Sequence, residues 1–418
     1  MKRTLIGSLF LGSLLFVGAW WAGSPIAHAD PMHFVEEVEV GGNARLLRVA
    51  IPADGKIGDV LRKNAAISGG FEVMDRKSIP AALIRASGFD AKAWSAIGAD
   101  AVILADEAGG QTRIRLHILS EGSSPKISKG YPGSDPVKAA NRFMNEVVDT
   151  FTGQPGVFGS RIAYVRTARN PTVSKNVQTV EMNGENPSSV TSNRSLNILP
   201  SIGPGGQVIY TSYAKRNPDL WMGTTRVSKF PGLNLGGVMS PDGSTIALAL
   251  SKDGNSEIYT VDTSGNVKAR LTNNAAIDGS PTFGQGGQIA FVSSRAGGPQ
   301  VFRMTSSGGS AARVTKQGSY NTSPDWCQAQ TCSNWIVYAG RDASNRFDIF
   351  KIDAKSGKIV RITQNPGRNL DPSFSPDGRH ITFSRDGGLF VSNDQGNNQI
   401  EIARGTSTPD WGPRVGGN

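Results

Sequence analysis

Hydrophobic and polar positions follow two different grammars along the chain. Up to about Gly153, strand-like and helix-like runs alternate. "ARLLRVAIP" and "FEVMD" read as strands, and "IGDVLRKNAAIS" between them has helical spacing. "DAKAWSAIG" reads as a helix leading into a buried strand, "ADAVILADE", followed by "TRIRLHILS" and "PKISKGY". In "DPVKAANRFMNEVVDTFTG", Val137, Ala140, Phe143, Met144, Val147, Val148 and Phe151 fall on one helical stripe, expected to face a core. Asp135 stands as N-cap, Pro136 in the first turn and Gly153 at the stop. "GQPGVFG", Gly153 to Gly159, reads as a linker.

Beyond the linker, short β runs are divided by Gly, Asn, Asp, Ser and Pro clusters. One run recurs as "RIAYVR", "QVIYTS", "TIALALS", "QIAFVSS", "WIVYAGR" and "HITFSR", starting at residues 161, 207, 245, 288, 335 and 380. The steps of 46, 38, 43, 47 and 45 residues are those of four-stranded propeller blades. Runs two to six are preceded by segments such as "GVMSPDG" and "DPSFSPDG"; the first is not, and "STPDWGP" at 407–413 matches the missing piece. The expected fold is therefore multidomain: a small N-terminal α/β domain (30–153), a linker (154–160) and an all-β six-bladed propeller (161–418). In this reading the C-terminal strand closes the first blade, three strands plus one, which removes two exposed sheet edges.

Residues 1–29 are set apart as a secretory signal peptide. Lys2 and Arg3 precede a long apolar run, and "AHA" before Asp30 has the spacing of a cleavage site; an uncleaved anchor is the competing reading. No other stretch is apolar enough to span a bilayer. Residues 1–29 hold two cations and no acid, so their removal lowers the net charge from +10 to +8. That balance would suit an anionic surface, but no basic block stands out and no nucleic-acid partner is expected; the bland expectation is a solvated mixed surface. The only cysteines, Cys327 and Cys332, read as a disulfide in an exported chain, since a zinc site lacks further ligands: His33, His117 and His380 are isolated.

Candidate chemistry is sparse. Asp242 and Asp377 in the repeated Ser-Pro-Asp-Gly are turn residues on this reading, with Pro presetting the first central position and Gly taking positive φ. Gly205, Gln285 and Asp325 stand as their equivalents, which makes the carboxylate optional to the fold. Gly-x-Ser-x-Gly, Walker A and His-Glu-x-x-His motifs are absent. Asp253, Asp278, Asp342 and Asp371 could converge near a channel and hold a cation, but their spacing resembles no calcium loop. No cofactor and no metal are expected.

The chain resembles the TolB family, periplasmic components of the Tol-Pal system. The resemblance is carried by "AKAWSAIGADAVIL", the junction "FTGQPGVFGSRIAYV", "SPDGSTIALALSKDGNSEIYTVD" and "GGPQVFRM", and it covers nearly everything after residue 29. It implies a monomeric, non-enzymatic periplasmic adaptor. One mouth of the channel would bind the peptidoglycan-associated lipoprotein Pal, and the N-terminal segment a TolA-like inner-membrane protein, in support of outer-membrane integrity and constriction at division. The loops entering each innermost strand would form the Pal site: Leu196, Asn197, Leu233, Asn234, Gly236, Asp278, Gly279, Tyr320, Asn321, Thr322, Asn369, Leu370 and Asp371. Phe34, Val38 and Val40 in "PMHFVEEVEVGG" would meet the TolA-like partner by strand addition, although "EEVEV" departs from the family pattern. The rival is an exported propeller enzyme, a lactonase or lyase using channel carboxylates and a metal.

Overall fold

The structure is a computed structural model describing residues 46–133, 135–169, 173–342, 344–364 and 366–413. The expected signal peptide and the segment carrying Phe34, Val38 and Val40 lie outside the described residues.

The N-terminal domain is a five-stranded mixed sheet with helices on both faces. Its strands are β1 (Leu47–Ala50), β2 (Phe71–Val73), β3 (Ala101–Ala108), β4 (Gln111–Ile118) and β5 (Ile127–Pro132), in the order β2-β1-β3-β4-β5. Helices α1 (Gly55–Ser68), α2 (Ala81–Arg85), α3 (Ala91–Ala96) and α4 (Pro136–Thr152) complete it. The two-residue period of β1 and β3 sorts their side chains. Val49, Ile51, Ala101 and Ile103 join α1 and α4 in one core, while Ala50 and Val102 join Trp94 of α3 in another. Helix α4 is capped as its sequence requires: Asp135 Oδ1 accepts from the amides of Val137 and Lys138 at 3.0 and 3.1 Å, and Gly153 stops it at φ 65°. Phe151 departs from the expected stripe and is 49 % exposed, because α4 outruns its core in the last turn.

The junction is no loose tether. Val157 and Phe158 are buried, and Asn145 of α4 clamps Phe158 by accepting from its amide (2.8 Å) and donating to its carbonyl (3.0 Å).

Six four-stranded antiparallel sheets follow. Their innermost strands are Thr406–Trp411 (blade 1), Asn197–Ile202 (blade 2), Asn234–Met239 (blade 3), Asp278–Phe283 (blade 4), Asn321–Trp326 (blade 5) and Asn369–Phe374 (blade 6). In blade 1 the strand Thr406–Trp411 pairs antiparallel with Arg161–Arg169, which pairs with Val173–Glu181. Each innermost strand packs on the next, and blade 1 touches both blade 6 and blade 2, so the ring is continuous.

The α/β domain rests on the end of the ring that carries the Ser-Pro-Asp-Gly turns, against blades 1 and 6. Ile162, Tyr164, Val180, Leu389, Val391 and Trp411 share one core with α1 and α4. Within that interface Asn183 Nδ2 donates to Asn64 Oδ1 and to Asn141 Oδ1, both at 2.9 Å, and Asn141 donates to Glu181 at 2.7 Å. His380 Nε2 lies 3.1 Å from the Ile67 carbonyl at the end of α1. Among the described residues, the α/β domain makes its propeller contacts at this end and none at the opposite mouth.

Candidate functional site: the open mouth of the propeller channel

In an antiparallel blade, the hairpins joining second and third strands and the loops entering each innermost strand emerge at the same end. That end is the open mouth, and all thirteen sequence-predicted mouth residues lie at or just inside it. They divide into two groups with different jobs.

Asn197, Asn234, Asp278, Asn321 and Asn369, the first residues of their strands, are all 0 % exposed. Their side chains make internal bonds, several of them between blades, although Asp278 Oδ1 and Asn321 Oδ1 are buried without a hydrogen bond. Asn369 Nδ2 donates to Asp348 Oδ1 of the preceding blade (2.8 Å), and Asn321 Nδ2 to Gln300 Oε1 (2.8 Å). Asn197 donates to the Lys175 carbonyl (2.9 Å), and Asn234 to the Phe230 carbonyl (2.8 Å). Asp278 accepts from Arg295 (2.7 Å) and Asn274 (2.9 Å). These groups hold loops in place and present nothing to a partner. Gly279 and Thr322 are buried as well, whereas Leu196, Leu233, Gly236, Tyr320 and Leu370 keep partial exposure and line the opening.

Asp371 stands one step inside. Its backbone is left-handed (φ 51°), and its carboxylate accepts from Ser323 Oγ at 2.9 Å. It also faces Lys175, whose ammonium is lowered by burial and partly restored by Asp371. The same conformation recurs at Leu199 (51°), Gly236 (61°), Ser280 (49°), Ser323 (49°) and Thr408 (47°), each at a β-bulge of its innermost strand. Leu199, Ser280 and Ser323, partly exposed, and buried Thr408 are the bulge positions that sequence reasoning did not single out. The signal was in the sequence as a strand-starting polar residue followed three places on by Pro ("NILP", "DGSP", "NTSP", "NLDP", "TSTP"), broken only by "NLGG".

Below the bulges a belt of side chains ties blade to blade. Ser201 Oγ donates to the Gly237 carbonyl (2.6 Å), and Thr282 Oγ1 accepts from the Trp326 amide (3.2 Å). Asp325 accepts from the Phe374 amide (2.7 Å), Ser373 Oγ from the Trp411 amide (2.9 Å) and Asp410 from the Ile202 amide (2.7 Å). Asp325 therefore belongs to the belt and not to a turn, which corrects its expected equivalence with Asp242. Asp325 and Asp410 retain some accessible surface, yet protein encloses them on most sides. Burial pushes the Asp325 carboxyl up to about 6. Burial, with the Asp325 charge nearby, pushes Asp410 up to about 7.

The Ser-Pro-Asp-Gly segments at the covered end are turns. Gly243 and Gly378 have φ of 73° and 71°, and their amides donate to the Ser240 and Ser375 carbonyls at 2.8 and 2.9 Å. Asp242 accepts from the Ser244 amide (3.0 Å), and Asp377 from the Arg379 amide (3.1 Å). The Ser240 and Ser244 bonds hold the Asp242 carboxyl down at about 2. In blade 4 the turn carries Gly286 at that place (φ 65°), with Gln285 one position earlier than expected. Cys327 and Cys332 are bonded, Cα atoms 5.8 Å apart, against the Gly378 turn.

The four acids considered for a cation do not converge. Asp253 pairs with Lys252 (2.6 Å) in an outer hairpin, and Asp342 caps its own hairpin through the Ser344 and Arg346 amides. Among the described residues no group of three His, Cys, Asp or Glu side chains is placed to hold a metal ion.

An α/β domain docked on one end of a six-bladed propeller defines a propeller protein of the two-domain kind. Residues 44–119 match the TolB amino-terminal domain and residues 148–347 the TolB beta propeller domain. The chain is 35 % identical over 377 residues to a Tol-Pal system protein TolB of Anaeromyxobacter dehalogenans, covering 85 % of this chain and 86 % of that one. It is 36 % identical over 196 residues to the Tol-Pal system protein TolB of Desulfosudis oleivorans, 44 % of each chain. The crystal structure of TolB from Acinetobacter baumannii superposes with a TM-score of 0.76 at 26 % identity, covering 88 % of this chain and 97 % of that one. The chain belongs to the TolB family. Its relatives are Tol-Pal components, and that membership points to a non-enzymatic role. No helix among the described residues is long and apolar enough to cross a membrane.

Proposed function

We propose that this protein is the periplasmic adaptor of a Tol-Pal system, binding the lipoprotein Pal at the open mouth of its propeller. A TolA-like inner-membrane protein would engage the N-terminal segment around Phe34, Val38 and Val40, so that the chain links the two membranes in maintaining the outer membrane and constricting it at division. The observation that carries this reading is the rim of partly exposed apolar and aromatic side chains at the mouth away from the α/β domain. The α/β domain covers the opposite end, and Leu196, Leu233, Tyr320 and Leu370 stand partly exposed where a partner loop would enter.

The buried staples decide how to test it. Enlarging Asn234 or Asp278 would test folding, since both are fully buried. Leu233→Arg and Tyr320→Ala change the partly exposed rim, the second also removing the ring that packs edge-on against Phe347. Immobilised chain should capture purified Pal, and each variant should weaken capture on the order of tenfold, as loss of a central interface anchor does. Capture that fails, or that survives both changes undiminished, rules the reading out. The enzymatic rival needs converging carboxylates, and Asp253, Asp278, Asp342 and Asp371 are spent on separate local partners.

A further inference from the structure

We propose that the open mouth is a cationic collar that takes an acidic protein segment. The inference rests on the adaptor reading and adds the chemistry of the partner.

Cations that look evenly scattered in the sequence are gathered at one end by the blade topology. Arg194, Lys215, Arg216, Lys229, Lys316 and Arg368 all lie in or beside the hairpins and entry loops of that mouth. All six are exposed, and none forms an ion pair with another described residue. Most acids at the same end are already neutralised. Asp219, Glu257, Asp278 and Asp348 are buried and paired with Arg226, Arg270, Arg295 and Arg361, and Asp253 with Lys252. Asp386 is the exposed exception, its carboxylate accepting from the Arg368 amide at 3.0 Å. Among the described residues, the unbalanced charge at this end is therefore positive. The covered end is mixed, with Asp242, Asp262 and Asp353 among Lys268, Lys355 and Lys358.

Three features point to a polypeptide as the anionic partner. Exposed Ile277 (39 %) and the partly exposed Leu196, Leu233 and Tyr320 stand between the cations, which suits side chains as well as charge. Arg368 lies over the Phe347 ring at 5.2 Å, and Arg341 over Tyr320 at 5.3 Å, so aromatic faces support the planar donors that match carboxylates. A shallow depression of about 440 Å³ lies between Asn274–Ala276 and Ser294–Gly297 beside the Arg295 guanidinium. Apolar and aromatic side chains set among the cations suit the mixed side chains of a polypeptide better than a layer of lipid headgroups.

The test uses the full chain and fluorescence polarisation of a labelled dodecapeptide of alternating Glu and Ser, with a Gln-for-Glu peptide as its neutral counterpart. The acidic peptide should bind at least on the order of tenfold more tightly than the neutral one at 50 mM NaCl and lose most of that advantage at 300 mM. The quadruple variant R194E/K229E/K316E/R368E should abolish the preference. Reversal of the covered end, K268E/K355E/K358E, should preserve it. If the quadruple variant does not fold, the single changes Lys229→Gln and Arg368→Gln carry the test, each with a smaller loss. Equal binding of the two peptides, or a preference that survives collar reversal, overturns the proposal. So does collar-dependent binding to phosphatidylglycerol vesicles without peptide binding. Pal capture indifferent to salt and collar would leave the adaptor standing and remove the collar. Acidic-peptide binding without Pal capture would do the reverse.

Discussion

Asn369 Nδ2 donates to Asp348 Oδ1 at 2.8 Å, across the seam between blades 6 and 5, and both residues are essentially sealed from solvent. Asp348 also accepts from Thr363 Oγ1 (2.7 Å) and pairs with Arg361, while Asn369 Oδ1 accepts from Arg385 Nε (2.8 Å). Removing the amide leaves part of a buried carboxylate and an arginine unmet. Asn369→Ala should therefore cost about 2–4 kcal/mol in urea unfolding. A loss within about 0.5 kcal/mol would show that the seam holds without it.

Asp410 gives the ring a pH dependence with a definite sign. Its folded carboxyl is raised to about 7, above the unfolded value near 3.9, so the folded state holds the proton longer. The associated stability is fully present below about pH 4 and lost as pH rises toward 7. Asp410→Asn keeps an oxygen for the Ile202 amide and removes the charge. Wild type should lose stability between pH 5 and pH 8. The variant should lose less, by roughly 1–2 kcal/mol once partial exposure is allowed for. Asp325, raised to about 6, titrates in the same window, so the dependence should flatten without vanishing. Parallel curves for the two proteins would contradict the assignment.

The two Ser-Pro-Asp-Gly glycines should differ in tolerance. Both hold positive φ, but a Cβ on Gly378 would meet Cys332 Sγ at 2.1 Å, whereas one on Gly243 finds Pro204 no nearer than 3.4 Å. Gly243→Ala should cost about 1 kcal/mol from backbone strain alone, and Gly378→Ala at least about 2–3 kcal/mol. Thermal melts of the pair decide it, and equal shifts would mean that blade 5 yields to the intruding methyl.

Asn183 joins the domains through Asn64 and Asn141 in a buried interface. Asn183→Leu should leave Asn64 Oδ1 without its donor and Asn141 Oδ1 with Asn64 Nδ2 alone, and cost about 2–3 kcal/mol. Calorimetry is expected to show the single transition splitting, with earlier tryptic cleavage near residues 153–160. A single unshifted transition would mean that the apolar core alone couples the domains.

The sequence by itself determined the elements and their order. Alternation, helical stripes and caps are local, and a period set by one strand-turn-strand unit is visible wherever that unit repeats, so α4, the six blades and the Ser-Pro-Asp-Gly turns were legible. Tertiary structure decided the direction in which each side chain points. Asn197, Asn234, Asn321 and Asn369 share the mouth with Leu196, Leu233 and Tyr320, but a strand's first residue turns into the seam and its predecessor into the opening. Asp325 looked like a turn acid because Ser-Pro-Asp precedes a short loop, and only the bulge at Ser323 sets it in the inter-blade belt. Likewise Arg194, Lys229, Lys316 and Arg368 are far apart in the chain. Closure of the ring alone places their charges together, because pairing between distant strands fixes which loops share an end, and no local pattern encodes that.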